Sequence, residues 1–325
     1  MKALHGATEQ LEQRNIGRHS AHASTRYQAL RAFSDITGRN TVAYYSGWLQ
    51  KRSKTATELI ERADNFGIME CLRGIDKTKG LDLVLHLPGG SLAAVETAIL
   101  GIREQFKGNV RVFVPECILS SGSILSFLGK EIWMGNYSSL GQVAPMHETS
   151  FDTPSVAELE YQKAHVGGNL SFDTFLQSIV GLKPMTIRLS EREMSWSTQL
   201  AKEALRSGMF NSNHRQAVEV LRNFKAVLRS HGAMRNLSRR RCREIGLTIR
   251  FFEDDWLLHG LILQIHRAFI NSFLQSDEVK IIQNDQGAIY SRHTDTIQMD
   301  GYCVPNNVQI GGEVSWDCAE AIWNN

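Results

Sequence analysis

Long apolar runs are missing from this chain. Although 42% of its 325 residues are hydrophobic, no stretch of about 18 consecutive apolar residues is present to form a membrane-crossing helix. The first twenty residues, MKALHGATEQLEQRNIGRHS, hold no apolar segment of signal-peptide length. A cytoplasmic location is expected, without secretion or a membrane span. Cysteine is sparse. Cys71, Cys117, Cys242, Cys303 and Cys318 include no CxxC pair, and an odd number cannot all pair within one chain, a usage that suits a reducing compartment. Charge of one sign is lacking too: Lys plus Arg number 36 against 34 for Asp plus Glu, a net charge of +2. No whole-molecule field therefore draws the chain to nucleic acid or to an acidic membrane. The local exception is residues 235–243, rich in arginine, read as a solvated helix face rather than a docking patch. HExxH is absent and the histidines are dispersed, so no metal is expected. GxxxxGK followed by Ser or Thr is absent, as is a GxGxxG turn, so neither ATP nor a dinucleotide is expected as a cofactor.

What is present is a strand-turn-helix rhythm. Residues 1–40 are polar, with no strand or helix period, and read as an N-terminal arm. TVAYYSGWL, from Thr41, is rich in β-branched and aromatic residues and predicts a first strand. Leu59, Ala63, Phe66 and Met69 to Cys71 recur at helical spacing, predicting a helix over Thr55 to Leu72. LDLVLHL (Leu81 to Leu87) is a near-continuous apolar run, as in a strand covered on both faces, and ends in Pro88-Gly89-Gly90. A helix with one apolar stripe (Leu92, Val95, Ile99, Ile102, Phe106) follows, with Ser91 as its cap. The pattern repeats as VRVFV (Val110 to Val114), the turn PECILSSG and the short helix SILSFLG, before a third strand EIWM (Glu131 to Met134). Such repeats predict an α/β fold with a parallel layered sheet and flanking helices. Residues 147–185 read as a lid or inserted loops. Helices are predicted over Glu191 to Leu228 and Asp255 to Leu274, and a β-hairpin over Val279 to Ser291 turning at Asp285 to Gly287.

The two small-residue turns carry the chemistry. Acyl transfer needs a nucleophile, a base to take its proton, and two backbone N–H donors facing the developing oxyanion. Gly90 ends a strand and opens a helix, and the lack of a side chain at Gly89 and Gly90 lets a substrate carbonyl approach the backbone. Ser120 and Ser121 occupy the equivalent place after the second strand. With Ser120 as nucleophile, the N–H groups of Gly90 and Ser121 become the oxyanion donors, and Gly122 leaves space beside them.

LDLVLHLPGGSLAAVETAI and VFVPECILSSGSILSFLGKEIWMGNYSSLGQVAP resemble the serine dehydrogenase proteinase family, a branch of the Clp protease, signal peptide peptidase A and crotonase group. The matching residues are His86 to Gly90, Ser120-Ser121-Gly122, and Glu131 to Gly135 with Ser138, Leu140 and Gly141. The likeness extends roughly from Tyr44 to Tyr290, with firm motifs between Leu81 and Gly141. It implies a Clp protease/crotonase-like layered sheet, Ser120 as nucleophile and oxyanion donors at Gly90 and Ser121. The family usually has Ala where this chain has Ser121, and the Asp of its Gly-Pro-Ile-Asp-Pro-Gln stretch has no counterpart in Gly141 to Met146. The resemblance also implies a peptide or protein substrate and a homo-oligomer, with a separate regulatory partner by analogy.

For the base, Lys202 lies in a stretch, STQLAKEALRSGMF, that resembles the helix supplying lysine in lysine-using relatives. His147 follows Ser120 by 27 positions, with Asp152 able to orient it, and Lys163 and Lys183 are further candidates. His86 sits at a strand end and reads as structural, and His231 is at a family position without a derivable role. Residues 41–291 are expected to form the peptidase domain, with an extension over 292–325. Two other readings keep the fold: an acyl-thioester enzyme of crotonase type, and a non-catalytic regulatory module.

Overall fold

The computed structural model describes residues 21–51, 56–141, 143, 184–211, 213–230, 236–293 and 297–300. At its centre is one sheet of eight strands in the order β11-β10-β9-β1-β2-β3-β5-β8. β1 (Asn40–Ser46), β2 (Leu81–His86), β3 (Val110–Val114), β5 (Glu131–Met134) and β8 (Ile249–Phe251) run parallel. β9 (Glu278–Asn284), β10 (Ile289–His293) and β11 (Ile297–Asp300) add an antiparallel flank beyond β1. Three short strands, β4 (Cys117–Ile118), β6 (Ser139–Leu140) and β7 (Leu237–Ser238), form a second small sheet. The fold is thus mixed α/β with a largely parallel sheet flanked by helices, as the repeats predict, and β9 and β10 are the expected hairpin.

Every residue of β1, β2 and β9 is buried, which is why LDLVLHL around β2 reads as a near-continuous apolar run rather than an alternating one. Alternate side chains feed two cores. Val42, Tyr44, Leu83 and Leu85 join the larger one, with α2 (Asp64–Leu72), α3 (Leu92–Phe106), α4 (Ser121–Ser126), α5 (Pro184–Ser207), α6 (His214–Ser230) and α7 (Arg239–Glu244). Ala43, Tyr45, Val84 and Phe113 join the other, with α1 (residues 21–37) and α8 (Trp256–Gln275). The single charge on β2, Asp82, is fully buried but lies between Arg39 Nε at 2.7 Å and the Arg111 guanidinium at 2.5 and 2.8 Å. A buried carboxylate is tolerable only with such partners.

Several expectations are corrected. Residues 21–37, expected within a polar arm, form α1, because Leu30 and Phe33 are buried and Arg26 reaches Glu278 at 3.0 Å and Ser272 at 2.6 Å. The helix expected from Thr55 begins only at Asp64, and Phe66 and Met69, two residues of its presumed apolar stripe, are 43% and 51% exposed. Residues 59–61 instead lie beside the first glycine turn, where Ile60 forms a strand-like bridge with Gly90. The helical character expected over 191–228 is carried by two helices, α5 and α6. The arginine run is only partly solvated: Arg239 is 8% exposed, ion-paired to Glu253 and bonded to Asn136, and both Arg239 and Arg243 lie over the Phe251 ring.

Candidate active site

The parallel pairing of β2 with its neighbours brings the two turns together. Beyond His86 the chain continues as a bridge between Leu87 and Ile118, with the Leu119 N–H donating to the Leu87 carbonyl at 2.9 Å. Gly89, two residues beyond Leu87, and Ser120, the residue after Leu119, are therefore in contact. A methyl group on Gly89 would lie 2.6 Å from Ser120 Cβ and 3.1 Å from Ser120 Oγ, and Gly89 has φ +99°. Only glycine meets both demands. One on Gly122 would lie 3.3 Å from Leu87 Cβ, so that position is tight but not closed.

Ser120 has φ 51° and ψ −127°, a conformation that a residue with a side chain rarely adopts. Strain of this kind costs about 1–3 kcal/mol and persists only where the surroundings enforce it. Although Ser120 stands at the N-cap of α4, its hydroxyl makes no capping bond to that helix. The strained backbone of a serine at a sharp strand-to-helix corner is similar to that of a nucleophile elbow. The side chain is buried, 2% exposed.

The hydroxyl of Ser121 does something different. Its Oγ accepts from the Gly90 N–H at 2.8 Å and donates to the Gly90 carbonyl at 3.0 Å, clamping one corner to the other. The Gly90 N–H, expected as an oxyanion donor, is thus already engaged. The N–H groups of Gly89 and Ser121 have no acceptor among the described residues. The two adjacent hydroxyls are thereby distinguished, Ser121 being committed to the backbone.

The following motif builds the wall behind the corner. Ser138 Oγ accepts from the Gly135 N–H at 2.7 Å and donates to the Val114 carbonyl at 2.5 Å, and a methyl group on Gly141 would lie 2.6 Å from Leu119 Cδ2. Ser123 Oγ donates to the Gly141 carbonyl at 3.0 Å, tying α4 to the same loop. Each small or hydroxyl residue of the motif thus has a packing reason to be there.

Residues 56–180, which include both corners and the wall, match the family described as ClpP-like SDH-type serine proteinase. Over that range the chain is similar to this family. Two uncharacterized proteins of Methanocaldococcus jannaschii are similar to it as well. One is 27% identical over 130 residues, 35% of this chain and 45% of its own length. The other is 28% identical over 113 residues, 35% of this chain and 37% of its own length. The chain thus spans less than half the length of these relatives.

Of the bases considered, Lys202 lies on α5, half-buried. α5 does pack on α4. His147, Asp152, Lys163, Lys183 and His231 lie outside the described residues. No group of three or more His, Cys, Asp or Glu among the described residues is arranged to hold a metal ion.

His86 is more than a strand end. It is fully buried with neither ring nitrogen hydrogen-bonded among the described residues, and Glu116 Oε2 approaches its Nδ1 to 3.7 Å. The same carboxylate oxygen lies 3.5 Å from His266 Nε2, and the rings of Tyr45 and Trp48 pack on His86. Burial first, and the neighbouring His266 second, push His86 down to about 3, and burial pushes His266 down to about 4. Both rings are therefore neutral near pH 7. Sequence reading missed this cluster because its members come from β1, β2, α8 and the turn after β3, and only spatial proximity unites them.

Proposed function

We propose that the chain is a serine peptidase that cleaves peptide bonds through an acyl-enzyme on Ser120, with the Gly89 and Ser121 N–H groups as the oxyanion hole. The observation that carries this is the strained corner at Ser120 set against Gly89. Attack of Ser120 Oγ on the carbonyl carbon moves the hydroxyl proton to a base and the carbonyl electron pair onto oxygen. Two amide donors with no acceptor among the described residues meet the new charge without reorganisation. Collapse expels the amine, which takes the proton back from the base, and a water molecule then repeats the sequence to free the carboxylate and Ser120. The base is sought among Lys202, His147, Lys163 and Lys183.

A second reading rests on the same two donors, which do not depend on Ser120: a crotonase-type enzyme would use them to hold an enolate. Hydrolysis of an unstructured protein such as casein, measured beside turnover of an acyl thioester, separates the two. The peptidase reading expects casein cleavage that Ser120→Ala abolishes. Thioester turnover that survives Ser120→Ala, with no casein cleavage by wild type, would replace it with the enolate reading.

We further propose that the catalytic unit includes α1 and β11, since both join the central sheet or its core, and that it works as a homo-oligomer whose enclosed chamber limits indiscriminate proteolysis. Light scattering at micromolar concentration tests the latter, and a monomer would overturn it. Among the described residues no helix is long and apolar enough to cross a membrane.

A further inference from the structure

Lys280, on β9, is the only buried lysine among the described residues, with no exposed surface. An ammonium group in a protein interior costs several kcal/mol unless its hydrogens are all engaged. Lys280 Nζ donates to the Leu59 carbonyl at 2.7 Å, to the two oxygens of Asp64 at 3.0 and 2.9 Å, and to Glu61 Oε1 at 3.2 Å. Asp64 is itself held by the Tyr44 hydroxyl at 2.5 Å and by the Glu61 N–H at 2.8 Å. Burial pushes the Asp64 carboxyl up and the Lys280 ammonium down, while their mutual attraction opposes both shifts. The proposed chemistry of Ser120 makes no use of this group.

Its carbonyl partner leads back to the site. Leu59 is followed by Ile60, whose N–H donates to the Gly89 carbonyl at 2.8 Å and whose carbonyl accepts from the Ser91 N–H at 2.8 Å. Ile60 therefore grips the turn on both sides of Gly90, so closely that a methyl group on Gly90 would lie 2.3 Å from its carbonyl oxygen. Apart from a single helical turn at Ala56–Glu58 and the bridge of Ile60 to Gly90, the chain between residues 56 and 63 has no regular structure to hold it in place. Its path depends on bonds such as those from Lys280.

We propose that Lys280 is a positioning residue for the Gly89-Gly90 turn: by holding the Leu59 carbonyl it fixes the backbone of Ile60, Ile60 holds the Gly89–Gly90 and Gly90–Ser91 peptide planes, and the Gly89 Cα that they fix carries the preceding peptide with the Gly89 N–H. The inference rests on Gly89 as an oxyanion donor. The charge-neutral double variant Lys280→Met/Asp64→Asn removes the ammonium without stranding its carboxylate. Arg26→Met/Glu278→Gln serves as the control, because it breaks another buried ion pair at β9, whose arginine bonds to Ser272 and Gln283 rather than to residues 59–61.

For both full-length variants and wild type, thermal stability, amide exchange at Ile60 and Ser91, and the rate of Ser120 labelling by a saturating fluorophosphonate are measured. Loss of turn geometry is expected to slow labelling by about tenfold or more in Lys280→Met/Asp64→Asn and to speed exchange at Ile60 and Ser91. The control is expected to lower stability and leave both readouts unchanged. Equal slowing in both variants, no slowing, or unchanged exchange in Lys280→Met/Asp64→Asn would overturn the proposal. If wild type takes no label at all, the peptidase reading falls, and the exchange comparison alone decides whether Lys280 holds the turn. Selective loss of protection at Ile60 and Ser91 upholds that role, and equal protection in all three proteins refutes it.

Discussion

Gly89→Ala is the smallest change that attacks the contact between the two corners. The added methyl would sit 2.6 Å from Ser120 Cβ and 3.0 Å from the Leu119 carbonyl oxygen, at a φ of +99°. Left-handed backbone costs an L-residue about 1–2 kcal/mol, and forcing a methyl group into a packed site costs about 1–3 kcal/mol. Together these predict a loss of about 2–5 kcal/mol in stability. Ordinary contact requires the corners to separate by roughly 1 Å, and a shift of that size at a reacting centre lowers rates by about 100-fold. Urea denaturation gives the first quantity and the rate of fluorophosphonate labelling the second. A Gly89→Ala protein as stable as wild type and labelled within about twofold of its rate would show that the corners do not meet as described.

Ser121→Ala is expected to lose about 1–3 kcal/mol, because it strands the buried Gly90 N–H and carbonyl, yet to keep its labelling; a loss of stability near zero by denaturant titration would contradict the clamp. Ser120→Gly is expected to be as stable as wild type or more so, by up to about 1 kcal/mol, since glycine relieves the strain at φ 51°, and calorimetry that finds it less stable would remove the argument from strain. His86 and His266 titrate in the fold at about 3 and about 4, below the unfolded value of about 6.5. Their contribution is thus fully present above pH 6.5 and is lost as the pH falls towards those values, at about 1.4 kcal/mol per unit for each ring. Urea titrations at pH 7 and pH 5 should differ by several kcal/mol from these two groups, and His86→Phe should flatten the slope; an unchanged slope would refute neutral burial. Among Lys202→Ala, His147→Ala, Lys163→Ala and Lys183→Ala, one is expected to slow labelling by about 100-fold or more and so identify the base. Full labelling of all four would end the search among them.

The strands and both corners were legible because their signals are local. LDLVLHL is apolar throughout and stops at Pro88-Gly89-Gly90, and VRVFV stops short of Ser120-Ser121-Gly122. The choice of donor was not legible. It turns on the Ser121 side chain reaching across 31 positions to Gly90, which no spacing reveals. The start of α2 was misread for a related reason: Ile60 is drawn to the Gly89 turn by long-range backbone bonds that override helical spacing. α1 hid in a polar segment because its buried arginine is paired with Glu278, far away in sequence. The antiparallel flank and the Lys280 network likewise depend on β9 inserting beside β1, a pairing between distant segments.

The most direct test of the account is the identity of the residue that a fluorophosphonate modifies, read by tandem mass spectrometry of the labelled full-length chain. The account predicts one adduct, on Ser120, retained in Ser121→Ala and absent in Ser120→Ala. An adduct on Ser121 or on any other residue, or one that persists in Ser120→Ala, would contradict it.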